Sequence, residues 1–287
     1  MVRRSCQIVH DTTSRTVRKP AGMVGRLICE TRPMDTTVLN ANPLIVLAAS
    51  TVLIVIAVAI SRWLRLGFAR GIVLASVRAA VQLVAVGILL TIVVDSGWEA
   101  LLAPVWIAAM IAIAAYVVSQ RAHTRSVLIP AALAVGVPTL LALAIVFGFG
   151  VLPPEPIQMI VVAGITIGNT LPATVLGADQ IRKQLSDGRA SIEALLALGV
   201  DSNRSGRFMV AEATRVALLP QIERTKVVGL VALPGAFTGL LIAGVAPFEA
   251  AIVQLVVMYL VLGSVAVSAA VVALVTARRA FTPDQRL

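Results

Sequence analysis

Acidic residues are absent from every long apolar stretch of this 287-residue chain, and charged residues of either sign make up only 13% of it. Aromatic residues are also scarce, at 4%, whereas hydrophobic residues reach 59%. A soluble domain carries roughly 45–50% apolar and 25% charged residues, so the composition excludes a single soluble globule and a disordered chain. Proton-driven carriers ordinarily place ionisable residues within their membrane helices. The lack of acids in the apolar stretches therefore argues against that class.

Cysteine, histidine and nucleotide-binding motifs are equally limited. The two cysteines, Cys6 and Cys29, precede the first apolar stretch, so the rest of the chain has neither disulfides nor thiolate metal ligands. His10 and His123 stand alone, without a zinc-binding partner. No Gly-x-x-x-x-Gly-Lys-Ser/Thr loop is present to hold ATP phosphates. We expect no catalytic residue, no metal site and no cofactor in this chain.

Long apolar runs dominate what is present. A helix needs roughly 20 apolar residues to cross about 30 Å of hydrocarbon, and strands of a membrane barrel would alternate in polarity, which these runs do not. The sequence predicts an all-α, polytopic membrane protein with seven transmembrane helices. The predicted spans are Leu44–Ile60, Ile72–Val94, Ala100–Val118, Val127–Phe149, Ile157–Gly177, Val227–Val245 and Ala250–Thr276.

The formal charge of +10 is explained by where the basic residues lie. Every basic residue of the loops between and after the spans falls on one side of the predicted membrane, with the largest group in the loop 178–226. Cytoplasmic loops of membrane proteins collect Lys and Arg. This pattern predicts an outside N-terminus, a cytoplasmic C-terminus and a multi-pass protein of the cell inner (plasma) membrane. The excess of basic residues therefore indicates orientation in a lipid bilayer, and we expect no nucleic-acid partner.

The first 43 residues do not follow this charge pattern, because their basic residues would lie outside. We interpret residues 1–43 as a basic tail that is not necessarily part of the mature protein, with Met34 as an alternative start to Met1. Residues 44–287 form the transmembrane domain, which includes the cytoplasmic region 178–226.

The second span contains a basic and an amide side chain. Arg78 and Gln82 are four residues apart and therefore share a helix face. A charge within the membrane is by default a mark of function, although an arginine near a helix end can also extend to the membrane surface. Both a pathway or gating role and this structural role remain open.

The fifth span contains small and polar residues together. Gly164 and Gly168 form a Gly-x-x-x-Gly pattern that permits close helix packing. Asn169 and Thr170 follow, just before Pro172. These two polar residues either hydrogen-bond to neighbouring helices or line a transport pathway.

The sixth span is interrupted by a proline and two glycines. Pro234 removes one backbone hydrogen bond, and Gly235, Thr238 and Gly239 follow it. Broken membrane helices are tolerated where the freed groups find partners or line a cavity. The pattern predicts a kink used for helix packing or a hinge in a transport pathway.

The loop 178–226 is long enough to have structure of its own. It predicts a short helix, Ser191–Leu198, ended by Gly199, and a second helix from about Arg204 that ends at Leu219 before Pro220. Glu212 and Arg215 form an i,i+3 pair on the second helix. The segment is either a solvated amphipathic loop or a docking surface for a cytoplasmic partner.

Several motifs occur in an order that resembles one family. They are Val77-Arg-Ala-Ala-Val-Gln-Leu83, Gly168-Asn169, Glu193 to Leu198-Gly199, Arg215 to Leu219-Pro220, and Val228 to Gly235 with Gly239 and Ala243-Gly244. Together they resemble the FetB-type ABC transporter permease family, which includes a bacterial iron-export permease and a plant aluminium-tolerance membrane subunit. The resemblance covers residues 44–287.

The resemblance implies a non-catalytic, membrane-spanning permease subunit that forms a homodimer and works with a separate cytoplasmic ABC ATPase. ATP and Mg²⁺ would bind to that ATPase, and two copies of each subunit would assemble. The implied coupling residues on the 193–220 segment are Glu193, Ala194, Leu195, Gly199, Arg215, Leu219 and Pro220. The implied activity is ATP-driven export in iron or metal homeostasis or stress tolerance.

Iron ions favour carboxylate or imidazole ligands, and the spans offer arginine, amide and hydroxyl side chains instead. A chelated, anionic or non-metal substrate fits these residues better than a bare cation. A membrane scaffold or receptor that binds a cytoplasmic partner is the alternative from another functional class.

Overall fold

A computed structural model of the chain describes residues 43–95, 97–122, 127–198 and 202–280. Residues 1–42 of the predicted tail 1–43, and Gly199, lie outside the described residues. The helices in this part of the chain are α1 (Pro43–Trp63), α2 (Ala69–Asp95), α3 (Glu99–Arg121), α4 (Leu128–Gly148), α5 (Pro156–Asp187), α6 (Arg189–Ala197), α7 (Ser202–Lys226), α8 (Gly235–Ile242) and α9 (Pro247–Ala280). The chain divides into two compact units, Met1–Ala69 and Arg70–Leu287. The first contributes α1, and the second contains the remaining helices.

Five of the described helices are long and apolar enough to cross a membrane. They are α2 over Ala69–Val93 and the full lengths of α3, α4, α5 and α9. In α1 the apolar stretch Ala48–Trp63 is shorter than these five. The all-helical, membrane-embedded fold predicted from the apolar runs is therefore confirmed for the described residues, whereas the seven-span count and the orientation stay predictions.

The sixth predicted span is not one continuous helix. Residues 227–234 form turns around Gly229, whose φ of +88° suits glycine, with an isolated bridge between Val228 and Ala232. Only then does α8 begin, after Pro234, and it has 8 residues. Such a helix is about 12 Å long and cannot cross about 30 Å of hydrocarbon alone. The expected break at Pro234 is present. It is larger than a kink, because the residues before Pro234 form turns and only those after it form a helix.

The two helices predicted in the loop 178–226 are both present, as α6 and α7. The prediction that the second helix ends before Pro220 is wrong, because α7 continues through Pro220 to Lys226. A proline inside a helix costs about 3 kcal/mol, yet tertiary contacts override that cost here. Ala213 and Ala217 are buried before the proline, and Gln221 and Thr225 after it are half-buried.

The core of the second unit is built around α5 and α9, which run in the same direction. Ala173 packs with Val261 and Val265, and further along α5 Ile181 packs with Ala273. Between these contacts the buried hydroxyls of Thr174 and Ser268 lie 2.6 Å apart and form a hydrogen bond that joins the two helices. The Thr174 hydroxyl also donates to the Thr170 carbonyl oxygen at 2.8 Å, so the bond between the helices gives the buried Ser268 hydroxyl a partner.

Helix α7 lies along α5 in the opposite direction. Met209 belongs to the cluster that contains Leu185, and Ala217 lies beside Gly177. Ala213, Ala217 and Gly177 are small, so the three helices α5, α7 and α9 approach closely. The C-terminal end of α7 consequently reaches the middle of α5, at the level of Asn169.

Helix α6 is anchored to this core by one side chain. Ile192 is fully buried in a cluster with Ile181, Leu185, Met209 and Ala277. This cluster ties α6 to α5, α7 and α9 together. A displacement of α6 would disturb this cluster, because a filled core transmits strain.

Candidate functional site

A cavity of about 220 Å³ lies between α5, the end of α7, the start of α8 and α9. Its apolar wall is formed by aliphatic side chains together with Pro234 and Met258. Its polar groups come from α5, α7 and α9; they are Asn169, Gln221, Arg224, Thr225 and Gln254. A concave, largely apolar site with a few convergent polar groups is typical of small-molecule binding.

Gln254 is the most unusual of these residues, because it is polar, buried and only partly satisfied. Its side chain is 9% exposed, and its Oε1 atom accepts no hydrogen bond from any described residue. Buried polar groups nearly always have a partner, so an exception requires an explanation. The atom is also closed to a water-sized probe, so Gln254 is a buried acceptor without a partner among the described residues.

Two other polar residues are partly satisfied within their own helices. The Asn169 amide nitrogen donates to the Ile165 carbonyl oxygen at 2.8 Å, and the Thr225 hydroxyl donates to the Gln221 carbonyl oxygen at 2.8 Å. Within the described part of the chain, the side-chain carbonyl oxygen of Asn169 and the side-chain amide of Gln221 have no hydrogen-bond partner. The cavity therefore offers both hydrogen-bond donors and acceptors.

Arg224 provides the charge of the cavity. Its side chain is exposed and forms no ion pair with the described residues, whereas Lys226, two residues later, pairs with Glu223 at 2.7 Å. None of the residues lining the cavity is acidic. Asn169 lies about 20 Å along α5 from Pro156, and α5 is one of the helices long and apolar enough to cross a membrane.

The remaining pathway candidates of α5 and α8 are close to the cavity, but not all line it. Thr170 is fully buried and its hydroxyl donates to the Ile167 carbonyl oxygen at 3.2 Å. Pro234 lines the cavity, and the Thr238 hydroxyl donates to the Gly235 carbonyl oxygen at 3.0 Å, within α8. A Cβ atom added at Gly235 or Gly239 would meet nothing within 4 Å. These glycines border open space.

The glycines of the Gly-x-x-x-Gly pattern have different surroundings from one another. A Cβ atom added at Gly164 would lie 3.6 Å from Met110 Cε, an ordinary contact, and at Gly168 it would meet nothing within 4 Å. At Gly177, outside the pattern, it would lie 2.8 Å from Val272 Cγ1. The close approach of α5 and α9 thus requires Gly177, which the motif search did not single out.

Arg78 and Gln82 do not join the cavity. Both are exposed on α2, and nearly all side chains of this helix are exposed along its length. Among the described residues that follow Ala69, neither forms a hydrogen bond or an ion pair. The structure therefore separates these two residues from Asn169, with which the sequence grouped them as pathway candidates.

The coupling residues lie on α6 and α7. Glu193 accepts a hydrogen bond from Arg189 Nε at 2.8 Å, and both side chains are more than half exposed. Ala194 and Leu198 are exposed, the latter to 81%, and Leu195 lies in the same helix. Arg215, Leu219 and Pro220 are exposed on α7. We define the α6 surface as Glu193, Ala194 and Leu198.

Sequence reasoning missed most of the cavity. Gln254 was visible as a polar residue in an apolar span, but nothing local joined it to Asn169. Arg224 was counted among the cytoplasmic basic residues that set the orientation, because α7 was expected to end at Leu219. Only the continuation of α7 through Pro220 brings Gln221, Arg224 and Thr225 to the level of Asn169. No cluster of three or more His, Cys, Asp or Glu side chains suited to a metal ion occurs among the described residues.

Comparison with known proteins gives a family match over most of the chain. Residues 44–281 match the sequence model of the family described as "Uncharacterised protein family (UPF0014)". The match begins at the first residue of the first predicted span and ends shortly after α9. No solved structure matches the chain significantly.

Three relatives illustrate the range of this similarity. The chain is 33% identical over 221 residues to "UPF0014 membrane protein STAR2" of Oryza sativa, covering 77% of each chain. It is 31% identical over 225 residues to "Protein ALUMINUM SENSITIVE 3" of Arabidopsis thaliana, covering 77% of this chain and 81% of that one. It is 28% identical over 244 residues to "Probable iron export permease protein FetB" of Escherichia coli, covering 84% of this chain and 93% of that one.

Proposed function

The chain belongs to the UPF0014 family of membrane proteins, and from this membership we propose that it is the membrane-spanning permease subunit of an ABC transporter. A separate cytoplasmic ATPase binds ATP and Mg²⁺ and energises export of the cargo. The function lies in iron or metal homeostasis or in stress tolerance, the first of these suggested by the name of the Escherichia coli relative.

The observation that carries this proposal is the α6 surface. Leu198, an apolar side chain that is 81% exposed, directly follows α6, on which Glu193 and Ala194 are also exposed, as expected of a surface that a partner covers. The same helix is anchored by fully buried Ile192 to α5, α7 and α9. A partner that moves α6 therefore moves the helices that line the cavity. The cavity itself favours transport over a purely scaffolding role.

The assembly that we propose contains two copies of this chain and two ATPases in the inner (plasma) membrane. Within the region 178–226, the basic residues from Arg182 to Arg215 face the cytoplasm, whereas the end of α7 reaches the cavity. The N-terminus lies outside and the C-terminus inside, with seven crossings. ATP-driven closure of the two ATPases pushes the α6 surface and switches the cavity between the two sides of the membrane. Arg78 and Gln82, exposed on α2, take part in gating within this assembly.

Glu193→Lys tests the docking proposal. Reversing this charge should weaken binding of the cognate ATPase about tenfold or more, since a like charge at an interface is repelled. The fold should remain, because an exposed ion pair contributes only about 0–1 kcal/mol. Binding is measured by co-purification and by titration of the ATPase onto the permease in lipid nanodiscs.

Asp179→Lys is the matched control. Asp179 is also 53% exposed and also belongs to an i,i+4 ion pair, with Lys183, but it lies on α5 outside the 193–220 segment. This variant should bind the ATPase as the wild type does. Unchanged binding by Glu193→Lys, or equal loss in both variants, would contradict docking at the α6 surface.

A further inference from the structure

A second cavity, of about 210 Å³, lies where the beginning of α4 meets the last turns of α5 and α9. Its charged side chains are Arg182 from α5 and Arg279 from α9, and none of the described residues that line it is acidic. Its apolar wall includes Val127 and Pro130 at the start of α4. We call this space the arginine cavity. It shares no lining residue with the cavity beside Asn169.

One of the two arginines is held in place, and the other has no partner among the described residues. The Arg182 guanidinium donates to the Ala122 carbonyl oxygen at the end of α3, which orients it and leaves its other N–H groups for a ligand. Arg279 forms no ion pair with the described residues. Both side chains are exposed, so a ligand can reach them. The Thr276 hydroxyl, in the same wall, is closed to a water-sized probe and contributes no contact.

The position of the arginine cavity along the helices selects the kind of anion. Arg182 lies about 39 Å along α5 from Pro156, beyond the roughly 30 Å of hydrocarbon but within the roughly 40–45 Å that includes both headgroup layers. It stands five residues after Gly177, the last residue of the fifth predicted span, and Arg279 stands three residues after Thr276, the last of the seventh. Two guanidinium groups at this level are where lipid phosphates are expected.

An apolar surface suited to acyl chains begins next to the cavity. Ile129, adjacent to Pro130 in the chain, is exposed on α4, as are Leu133, Val137 and Leu140, and their spacing of three or four residues places them on one helix face. The cavity itself is smaller than the roughly 300–1,000 Å³ of sites for drug-sized molecules. It can therefore hold a headgroup, whereas the chains must lie outside it on an apolar surface.

We propose that the arginine cavity binds the headgroup of an anionic phospholipid, with the phosphate between Arg182 and Arg279 and the acyl chains along the exposed face of α4. A guanidinium suits bidentate contact with phosphate oxygens, and basic pockets between membrane helices bind anionic headgroups in other proteins. The lipid contacts α4, α5 and α9 together and stabilises them, because it binds only to the folded state. The inference requires a membrane protein and does not depend on the ATPase.

Two simpler explanations of these arginines make a different prediction. Basic residues near a membrane surface attract anionic lipids without a defined site, and basic residues in the last turn of a helix interact favourably with its dipole. Arg278 shares both properties with Arg279, because it is exposed in the same last turn of α9. It does not line the arginine cavity. Only a defined site distinguishes these two neighbours.

A direct test measures lipid binding to the whole chain. The protein is purified in detergent, stripped of lipid and titrated with phosphatidylglycerol or with phosphatidylcholine of the same acyl chains, and bound lipid is counted by native mass spectrometry. The wild type should bind phosphatidylglycerol about tenfold more tightly, because the choline cation opposes the two arginines. Phosphatidylglycerol should also raise the midpoint of thermal unfolding.

Free phosphates distinguish a lipid from a soluble ligand. Glycerol phosphate and inorganic phosphate offer the same charged group to the arginines without acyl chains. Each should displace the lipid only at a concentration at least tenfold higher than unlabelled phosphatidylglycerol requires, because neither contacts the face of α4. Displacement by either one at the same concentration as the lipid would overturn the assignment to a phospholipid.

Substitutions assign the binding to the arginine cavity. Arg279→Gln should weaken phosphatidylglycerol binding about tenfold and remove the thermal stabilisation, while the protein stays folded because the side chain forms no ion pair with the described residues. Arg182→Gln should have the same effect on binding, although it also removes the hydrogen bond to Ala122. The Arg279 variant is therefore the decisive one.

Two controls remove the same charge from neighbouring positions outside the cavity. Arg278→Gln on α9 and Lys183→Gln on α5 alter exposed residues that do not line it, and both variants should bind phosphatidylglycerol as the wild type does. Equal losses in Arg278→Gln and Arg279→Gln, unchanged binding by Arg279→Gln, or equal affinity of the wild type for the two lipids would each overturn the inference. Normal ATPase binding by Glu193→Lys would remove the docking proposal and leave this site unaffected.

Discussion

At the scale of single residues, polar side chains in this chain fall into satisfied and unsatisfied groups. Thr166, Thr170 and Thr174 are fully buried, and each donates its hydroxyl to a carbonyl oxygen within its own helix. Such residues need no ligand to explain them. Gln254 is different because the acceptor that it buries has no donor among the described residues. The sequence alone does not distinguish paired from unpaired polar side chains, because both are simply polar residues within apolar runs.

Arg78→Ala should reduce transport without reducing stability. Arg78 lies about 14 Å along α2 from Ala69, and a charged residue at such a depth costs roughly 2.5–3.5 kcal/mol or more during insertion. Alanine removes this cost, so expression and thermal stability should be maintained or increased. Transport in ATP-energised vesicles should fall at least several-fold if the guanidinium serves gating.

Arg70→Ala is the control, because Arg70 is exposed at the N-terminal end of the same helix and should be dispensable for transport. Wild-type transport by a well-expressed Arg78→Ala variant would reduce Arg78 to a structural residue whose side chain extends to the membrane surface.

At the scale of helices, the apolar runs predicted most elements and failed where a helix depends on its neighbours. Helices α3, α4 and α9 begin and end within a few residues of the predicted spans, because length and apolar composition are local properties. The predicted end of α7 was wrong, because Pro220 is a local stop signal, whereas the packing of Ala217 beside Gly177 of α5 is not local. The position of the cavity depends on that end and could not be predicted.

Gly177→Ala should destabilise α5–α9 contact, whereas Gly168→Ala should not. Alanine is favoured over glycine in a helix by about 1 kcal/mol, and at Gly168 that gain is unopposed because an added Cβ atom meets nothing within 4 Å. At Gly177 it would lie 2.8 Å from Val272 Cγ1, so overpacking of about 1–3 kcal/mol is expected. Thermal unfolding in detergent should show a lower midpoint only for Gly177→Ala.

Val272→Ala provides the check on mechanism for this pair of variants. It creates room beside Gly177, so combining it with Gly177→Ala should restore part of the lost stability. If the stability of the double variant equals the sum of the two single effects, the loss in Gly177→Ala does not come from its contact with Val272.

At the scale of the whole molecule, the charge distribution predicts which loops lie on each side of the membrane. Because Cys6 and Cys29 are the only cysteines, Cys→Ser changes at both give a background for single labelling sites. In intact cells a membrane-impermeant maleimide should label Pro154→Cys, in the acidic loop before α5, and should label Ser186→Cys only after the membrane is opened. The reverse pattern would contradict the positive-inside assignment.

The absence of acids from the cavity wall has one more consequence, which concerns pH. None of the lining side chains is of a type that changes charge between about pH 5 and pH 9. The site therefore cannot bind or release a proton as its ligand enters and leaves. A dependence of binding on pH in this range would come from ionisation of the ligand itself, and a titration of affinity against pH would report the acid constants of the bound molecule.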